Sequence, residues 1–222
     1  MNLLGFDTST AVSSACLLRA DGEVFEEIPE PAALYGAPTH SSDLLPSLAE
    51  VLARGEVGWA DVHAIAVGVG PGAFTGLRIG VATARGLAQA RGVELRPVSS
   101  LAALAAGIDG ELRLAVLDAK RGEVFAALFG ADGEIWPAAA LAPEAVAERL
   151  RSEGATPRTA GDGSVRFRGL LEAAGASVAP DDSPVHVVRA LHVCRLARAV
   201  APAAPEAVLP DYMRSPDAKP RP

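Results

Sequence analysis

Apolar and polar positions divide this chain into a series of short strands, tight turns and amphipathic helices. Leu3 to Asp7 is an apolar run ending in an acid. A second apolar run from Ala15 closes at Asp21-Gly22, a pair that supplies the positive φ of a hairpin turn. A third strand leaves that turn and runs from Glu23 to Ile28. From Ser41 to Arg54, the residues Leu44, Leu45, Leu48, Val51 and Leu52 fall on one helical stripe, with Ser41 or Ser42 as N-cap and Pro46 in the early turns. Ala64 to Gly68 predicts a short buried strand, and a helix from Phe74 to Arg91 follows, stopped by Gly92. The second half predicts helices from Pro143 to Arg151, around Val165 to Ala174, and from Val185 to Val200. The six prolines after Ala201 predict an extended, partly mobile tail.

The second half repeats the first. Leu114 to Asp118 and Ala127 to Trp136 mirror the opening strands, and the paired acids stand 111 residues apart in both cases (118 − 7 and 132 − 21). Ala20, Gly22 and Glu23 match Ala131, Gly133 and Glu134 at the same offset without a gap. A duplicated unit of three strands followed by helices predicts two α/β lobes, residues 1–105 and 106–222, each a mixed sheet flanked by helices. This is the architecture of the actin/hexokinase-like class (ASKHA, ribonuclease H-like), in which nucleotide binds in the cleft between the lobes.

The predicted helix from Phe74 carries a second signal. Gly76, Gly80, Ala84 and Ala88 recur every four residues, a seam of small side chains along one side. Leu77, Val81 and Leu87 lie beside or opposite it, so the apolar surface exceeds one stripe. Glycine inside a helix costs about 1 kcal/mol relative to alanine, which implies that something packs tightly on the seam. The expectation is that one face rests on the protein's own sheet and that the seam faces a partner, with Arg78 and Arg85 as polar rim.

Composition narrows the function classes. With 222 residues the chain can bury one large core or two small ones, and with 5% aromatics that core is built from small aliphatic side chains. A net charge of −7, with no run of basic residues, argues against gripping RNA unaided, because such binding draws on Lys and Arg meeting phosphates. Cys16 and Cys194 sit in apolar contexts and read as two reduced core thiols. The opening Met-Asn-Leu-Leu-Gly-Phe-Asp lacks a basic n-region, and no window has the roughly 18 apolar residues of a membrane span, so no membrane partner is expected and the chain reads as cytoplasmic.

Candidate chemistry is defined largely by what is missing. In the actin/hexokinase class an Asp ending the first strand orients a metal-bound water, and a Gly two residues later lets backbone amides approach phosphate. Here Asp7 is followed by Thr8, Ser9 and Thr10, so Ser9 replaces that Gly; after Asp118, Lys120 takes the equivalent place. Gly161-Asp162-Gly163 is either the remnant of an adenosine loop or only a turn, and Gly68 to Gly72 either cradles an anion at a helix start or simply turns. His40, His63, His186 and His192 form no metal-binding pair, and no Gly-x-Ser-x-Gly elbow is present, so neither a metal site nor a catalytic residue is predicted.

Several stretches make the chain recognisable. Leu4-Gly5-Phe6-Asp7-Thr8-Ser9-Thr10, His40-Ser41, Leu44-Leu45-Pro46 and the run Gly70-Pro71-Gly72-Ala73-Phe74-Thr75-Gly76-Leu77-Arg78-Ile79-Gly80 resemble the bacterial TsaB (YeaZ) family. So do Val98-Ser99-Ser100-Leu101, Asp118-Ala119-Lys120-Arg121-Gly122-Glu123-Val124 and Leu209-Pro210-Asp211-Tyr212-Met213-Arg214. The likeness runs nearly end to end and thins between residues 135 and 205.

The resemblance implies a non-catalytic scaffold subunit of the complex that makes threonylcarbamoyladenosine (t6A) in tRNA. Its expected partners are a TsaD-like catalytic subunit, which carries the metal and transfers threonylcarbamoyl to N6 of adenosine 37, and a TsaE-like ATPase. It further implies a homodimer when the chain is alone, contact with tRNA only through the complex, and a degraded nucleotide cleft at Asp7, Thr8, Ser9, Thr10, Asp118 and Lys120. No cofactor is required by this chain itself, and ATP or ADP is compatible with the junction to the partner. The expected interface comprises Leu44, Leu45 and Leu48 on the first helix with Gly76, Leu77, Arg78, Gly80, Val81, Ala84 and Arg85 on the second. The alternatives are a small ATPase or kinase using Asp7 and Asp118 and, less favoured, a metallopeptidase.

Overall fold

The structure, a computed structural model, describes residues 1–213. Its first sheet is built from β1 (Leu3–Asp7), β2 (Ser14–Leu18), β3 (Val24–Glu27), β4 (Ala64–Gly70) and β5 (Glu94–Ser99), in the order β3-β2-β1-β4-β5. The second is built from β6 (Arg113–Lys120), β7 (Glu123–Gly130), β8 (Gly133–Leu141), β9 (Arg158–Ala160) and β10 (Ser177–Val178), in the order β8-β7-β6-β9-β10. In each sheet the first three strands run antiparallel and the last two join in parallel. The two sheets are therefore the same topology used twice, and the fold is the duplicated, two-lobed actin/hexokinase-like fold.

The central strand β1 is buried along its whole length, which is why it reads as an unbroken apolar run rather than an alternating one. Alternation persists in what each side chain meets. Leu4 and Phe6, with Ala15 and Leu17, point to one face; Leu3, with Cys16 and Leu18, points to the other. On the first face lie α1 (His40–Arg54) and α2 (Phe74–Arg91), packed through Leu44, Leu48, Val51 and Val81. The other face meets α3 (Ser100–Ala105) and α7 (Ala190–Ala197), which fill the space between the sheets with Leu101, Leu104 and Val193. Leu117 and Phe125 of the second sheet close that central layer, which also holds both free cysteines. Beyond the second sheet, α4 (Pro143–Glu153) and α6 (Arg168–Glu172) pack through Val146, Leu150 and Leu171 around Trp136.

Four details differ from expectation. The cap of α1 is Thr39, one position before the helix begins at His40; Ser42 instead bonds back to the Thr39 carbonyl. The segment around Val165 splits at Phe167 into α5 (Asp162–Arg166) and α6. The helix expected over 185–200 is shorter: a 3₁₀ turn at Pro184–His186 leads into extended Val187, and α7 starts only at Ala190. Strand order makes α7 the counterpart of α3 rather than of α2. Both follow the last strand of a sheet and pack in the central layer.

The tail is the fourth. Ala203 donates its N–H to Leu95 O at 2.8 Å at the edge of the first sheet, Val208 is buried in the core on the α2 side of that sheet, and Asp211 N donates to Val69 O at 2.7 Å. The expected extension is interrupted by a 3₁₀ turn at Pro205–Ala207, and the residues between the prolines supply donors and apolar side chains that fasten the segment to the first lobe. Arg214 and the remaining tail positions lie outside the described residues.

Candidate functional site: the small-residue seam and the cleft between the lobes

The small-residue seam of α2 is an internal contact. A Cβ on Gly76 would lie 2.1 Å from the carbonyl oxygen of Thr8 and 3.0 Å from His40 Nε2, and one on Gly80 would lie 2.2 Å from Thr8 Oγ1. Thr8 Oγ1 donates to Gly76 O at 2.8 Å, so the loop after β1 sits directly on the helix backbone. Ala84 and Ala88 continue the same buried line, and Leu77 and Val81 are buried beside it. Leu44 and Leu48 likewise belong to the core under α1. The interface expected at Leu44, Leu48, Gly76, Leu77, Gly80, Val81 and Ala84 is thus corrected: these side chains are consumed inside the chain's own fold. A four-residue repeat of small side chains reports that some neighbour comes close, and says nothing about whose neighbour it is.

Of the expected interface, Leu45, Arg78 and Arg85 remain on the surface. Leu45 is 56% exposed, Arg78 is exposed and Arg85 is half-buried. The solvent side of α2 runs through Thr75, Arg78, Ala82 and Gly86, and that of α1 through Leu45, Pro46 and Ala49.

Asp7, the acid ending β1, is sealed. Its Oδ1 accepts from Ser9 N at 2.7 Å and from Ser9 Oγ at 2.5 Å, and its Oδ2 accepts from Ser100 Oγ at 2.6 Å. On the far side the backbone of Gly68 presses so close that a Cβ there would lie 1.8 Å from Asp7 Oδ2. Burial pushes this carboxyl above its usual range, and the hydrogen bonds from Ser100 and Ser9 pull partly against that. A carboxylate that must orient a metal-bound water needs an oxygen facing the cleft. Asp7 has none to offer, so this residue does not fit a magnesium–nucleotide site.

The sign of the Asp7 shift gives a pH prediction. With the folded pKa above the unfolded value, the folded protein holds the extra proton just above pH 3.8, and stability falls as pH rises through that window. Asp7→Asn, neutral and of equal shape, should keep the fold and flatten this dependence. Urea midpoints measured from pH 4 to 8 check it, and a profile unchanged from the parent contradicts the assignment.

Between the lobes lies a cleft of about 430 Å³. Ser9, Thr10, Asp118 and Lys120 line it as expected; Asp7 and Thr8 do not. The loop that follows Asp118 is a tight hairpin with Lys120 and Arg121 both in the left-handed region (φ 64° and 55°), unlike the six-residue connection after Asp7. Asp118 Oδ2 accepts from Lys120 Nζ at 3.0 Å and from Arg166 Nη1 at 2.8 Å. Burial pushes this carboxyl up, but the bonds from Lys120 and Arg166 outweigh it and hold Asp118 below the ordinary carboxylate range. The lysine standing where glycine would admit phosphate is thereby engaged with its own strand's acid.

Sequence reasoning did not single out two members of this cleft, Arg166 and Tyr35, and left Asp162 open between an adenosine-loop remnant and a turn. Arg166 enters from α5, and nothing but its charge marks it. Asp162 accepts the Asp118 N–H at 2.9 Å, and burial raises its pKa. Tyr35 lines the cleft from a 3₁₀ turn at Pro31–Tyr35; burial first, then the charges of Asp162 and Asp181, push its hydroxyl up to about 12. Among the described residues no three His, Cys, Asp or Glu side chains converge as a metal site would require.

Relatives place this geometry. Residues 29–214 match the family model described as TsaD, tRNA N6-adenosine threonylcarbamoyltransferase. The tRNA threonylcarbamoyladenosine biosynthesis protein TsaB of Escherichia coli K12 is 35% identical over 175 residues, covering 73% of this chain and 72% of that protein. The chain belongs to the TsaB (YeaZ) family. YeaZ from Pseudomonas aeruginosa superposes with a TM-score of 0.75 at 29% identity, over 95% of this chain and 99% of that one. A second structure, described as an uncharacterized protein with similarity to peptidase YEAZ from Pseudomonas aeruginosa, gives 0.80 at 28% identity over 96% and 99%. Four of the TsaB-like stretches found in the sequence fall together in space: the loop after β1, the start of α1, the Gly70–Gly80 run and the anchored segment at Asp211 meet around the N-terminus of α2. No helix among the described residues is long and apolar enough to cross a membrane.

Proposed function

We propose that the chain acts in t6A biosynthesis as a non-catalytic subunit that supports a TsaD-like catalytic partner. The observation that carries this reading is the sealed Asp7: the acid that the fold would use for metal and nucleotide is capped by Ser9 and Ser100 and turned from the cleft. The net charge of −7 supports it, because it does not favour holding RNA without help. On this reading the catalytic subunit brings the metal and the transfer chemistry, a TsaE-like ATPase joins the assembly, and tRNA is held by the complex. Adenine nucleotide, where present, sits at the subunit junction, and the assembly is cytoplasmic. A kinase or ATPase reading needs Asp7 in the cleft and finds no support.

The docking surface is the solvent side of α1 and α2, in place of the buried seam. Leu45 is a large apolar side chain more than half exposed in the middle of a well-packed helix, with Ala82 on the solvent side of its neighbour. The same surface serves a homodimer when the partner is absent. Leu45→Arg and Ala82→Arg should leave unfolding unchanged within about 0.5 kcal/mol, as exposed positions do. Each should weaken binding to the catalytic subunit by about 2 kcal/mol, roughly thirtyfold. Titration calorimetry with the purified subunits tests this, and full affinity in both variants removes the docking surface.

A further inference from the structure

We propose that the segment Leu209–Met213 is a strap that positions the first turn of α2, with Tyr212 as its latch. The proposal rests on the docking reading for its consequence, though the strap itself is argued from the chain alone.

The first turn of α2 lacks the usual means of holding itself. Its N-cap, Ala73, has no side-chain acceptor for the free amides, and no acidic residue stands in the turn. Support comes from elsewhere. From inside, Ser9 O accepts the Ala73 N–H at 2.6 Å. From outside, the strap takes hold at three successive residues. Asp211 N donates to Val69 O at 2.7 Å, just ahead of the glycine turn. Tyr212 lays its ring 5.0 Å from that of Phe74 at 33°, and its Oη accepts from Arg78 Nε at 3.0 Å. Met213 reaches the core between the two sheets.

Phe74 and Arg78 are one turn apart, and the Arg78 guanidinium lies over the Phe74 ring at 3.9 Å. Tyr212 is the third member of this cluster and the only one not on the helix. It thus ties Arg78, in the helix start, to a segment 134 residues away in sequence. The cluster is only part-buried, with Phe74 37% and Tyr212 40% exposed, so it stands where α2 would meet a partner. An uncapped helix start samples open states, and a partner binding it would have to restore order; the strap removes that cost in advance. Tyr212 is in this sense a positioning residue for docking.

Hydrogen exchange and binding of the full chain test the proposal together. In Tyr212→Ala, the amides of Leu77 and Arg78, the first to bond within the helix, should exchange about tenfold faster or more, since a bond to a charged group and a ring contact are both lost. Amides of β1 and β4 should keep the parent rates, and affinity for the catalytic subunit should fall by about tenfold. Tyr212→Phe keeps the ring, loses only the bond to Arg78, and should lie between. Unchanged exchange at Leu77 and Arg78, or equal acceleration throughout the chain, overturns the strap. A loosened first turn with parental affinity overturns its positioning role. Leu45→Arg and Ala82→Arg serve as the controls: if both variants also bind fully, the docking reading has failed, and the exchange result still judges the strap by itself.

Discussion

Gly76→Ala should destabilise the protein by about 2–4 kcal/mol, although alanine is the better helix former by about 1 kcal/mol. The added methyl would sit 2.1 Å from the Thr8 carbonyl oxygen, a backbone atom fixed by the end of β1 and by the loop that seals Asp7. Relief requires α2 to move off the sheet, which opens the contacts of Leu77, Val81 and Ala84 together. Gly86 in the same helix provides the internal comparison. Nothing lies within 4 Å of a Cβ there, so Gly86→Ala should gain about 0.5–1 kcal/mol. Urea unfolding of the two variants measures both signs at once. Equal behaviour at positions 76 and 86 would mean that the seam is not packed as described.

Glu26→Ala should cost a similar amount, about 2–4 kcal/mol, by a different route. Glu26 lies on β3 with its side chain almost wholly buried, and it joins the two halves of the sequence. One carboxylate oxygen takes Arg189 Nη2 at 2.6 Å, and the other accepts the Leu191 N–H at 3.0 Å in the first turn of α7. Removing the acid strands a cation and leaves a helix amide without its acceptor. The side chain of Arg189 is about one-third exposed and can turn to water, which keeps the loss below that of a fully buried pair. Glu26→Gln retains an acceptor for Leu191 and should lose only part of the stability. A double-mutant cycle with Arg189→Ala separates the ion pair from the helix cap; a cycle showing no coupling contradicts this account.

Much of this architecture was written locally. The unbroken apolar stretch of β1, the two Asp-Gly turns and their common offset suffice to predict a duplicated sheet, because strand period and turn chemistry act within a few residues. The departure of both phosphate loops was legible for the same reason: Ser9 and Lys120 stand at fixed distances from their acids. What escaped depends on chain meeting chain. The seam of α2 announces a close neighbour, and only the fold shows it to be Thr8, 68 positions earlier than Gly76. The strap around Tyr212 reads as a proline-rich tail until Val69, Phe74 and Arg78 are seen beside it. Arg166 reaches Asp118 across 48 residues with no motif to mark it.

The central claim, that this chain docks through the outer sides of α1 and α2 while its cleft does no chemistry, is tested most directly by a hydrogen-exchange footprint with and without the catalytic subunit. The prediction is protection within residues 45–49 and 75–86, with the cleft segments 9–11, 118–120 and 162–166 unchanged. Protection confined to the cleft segments, with both helices exchanging as they do in the free chain, would contradict it.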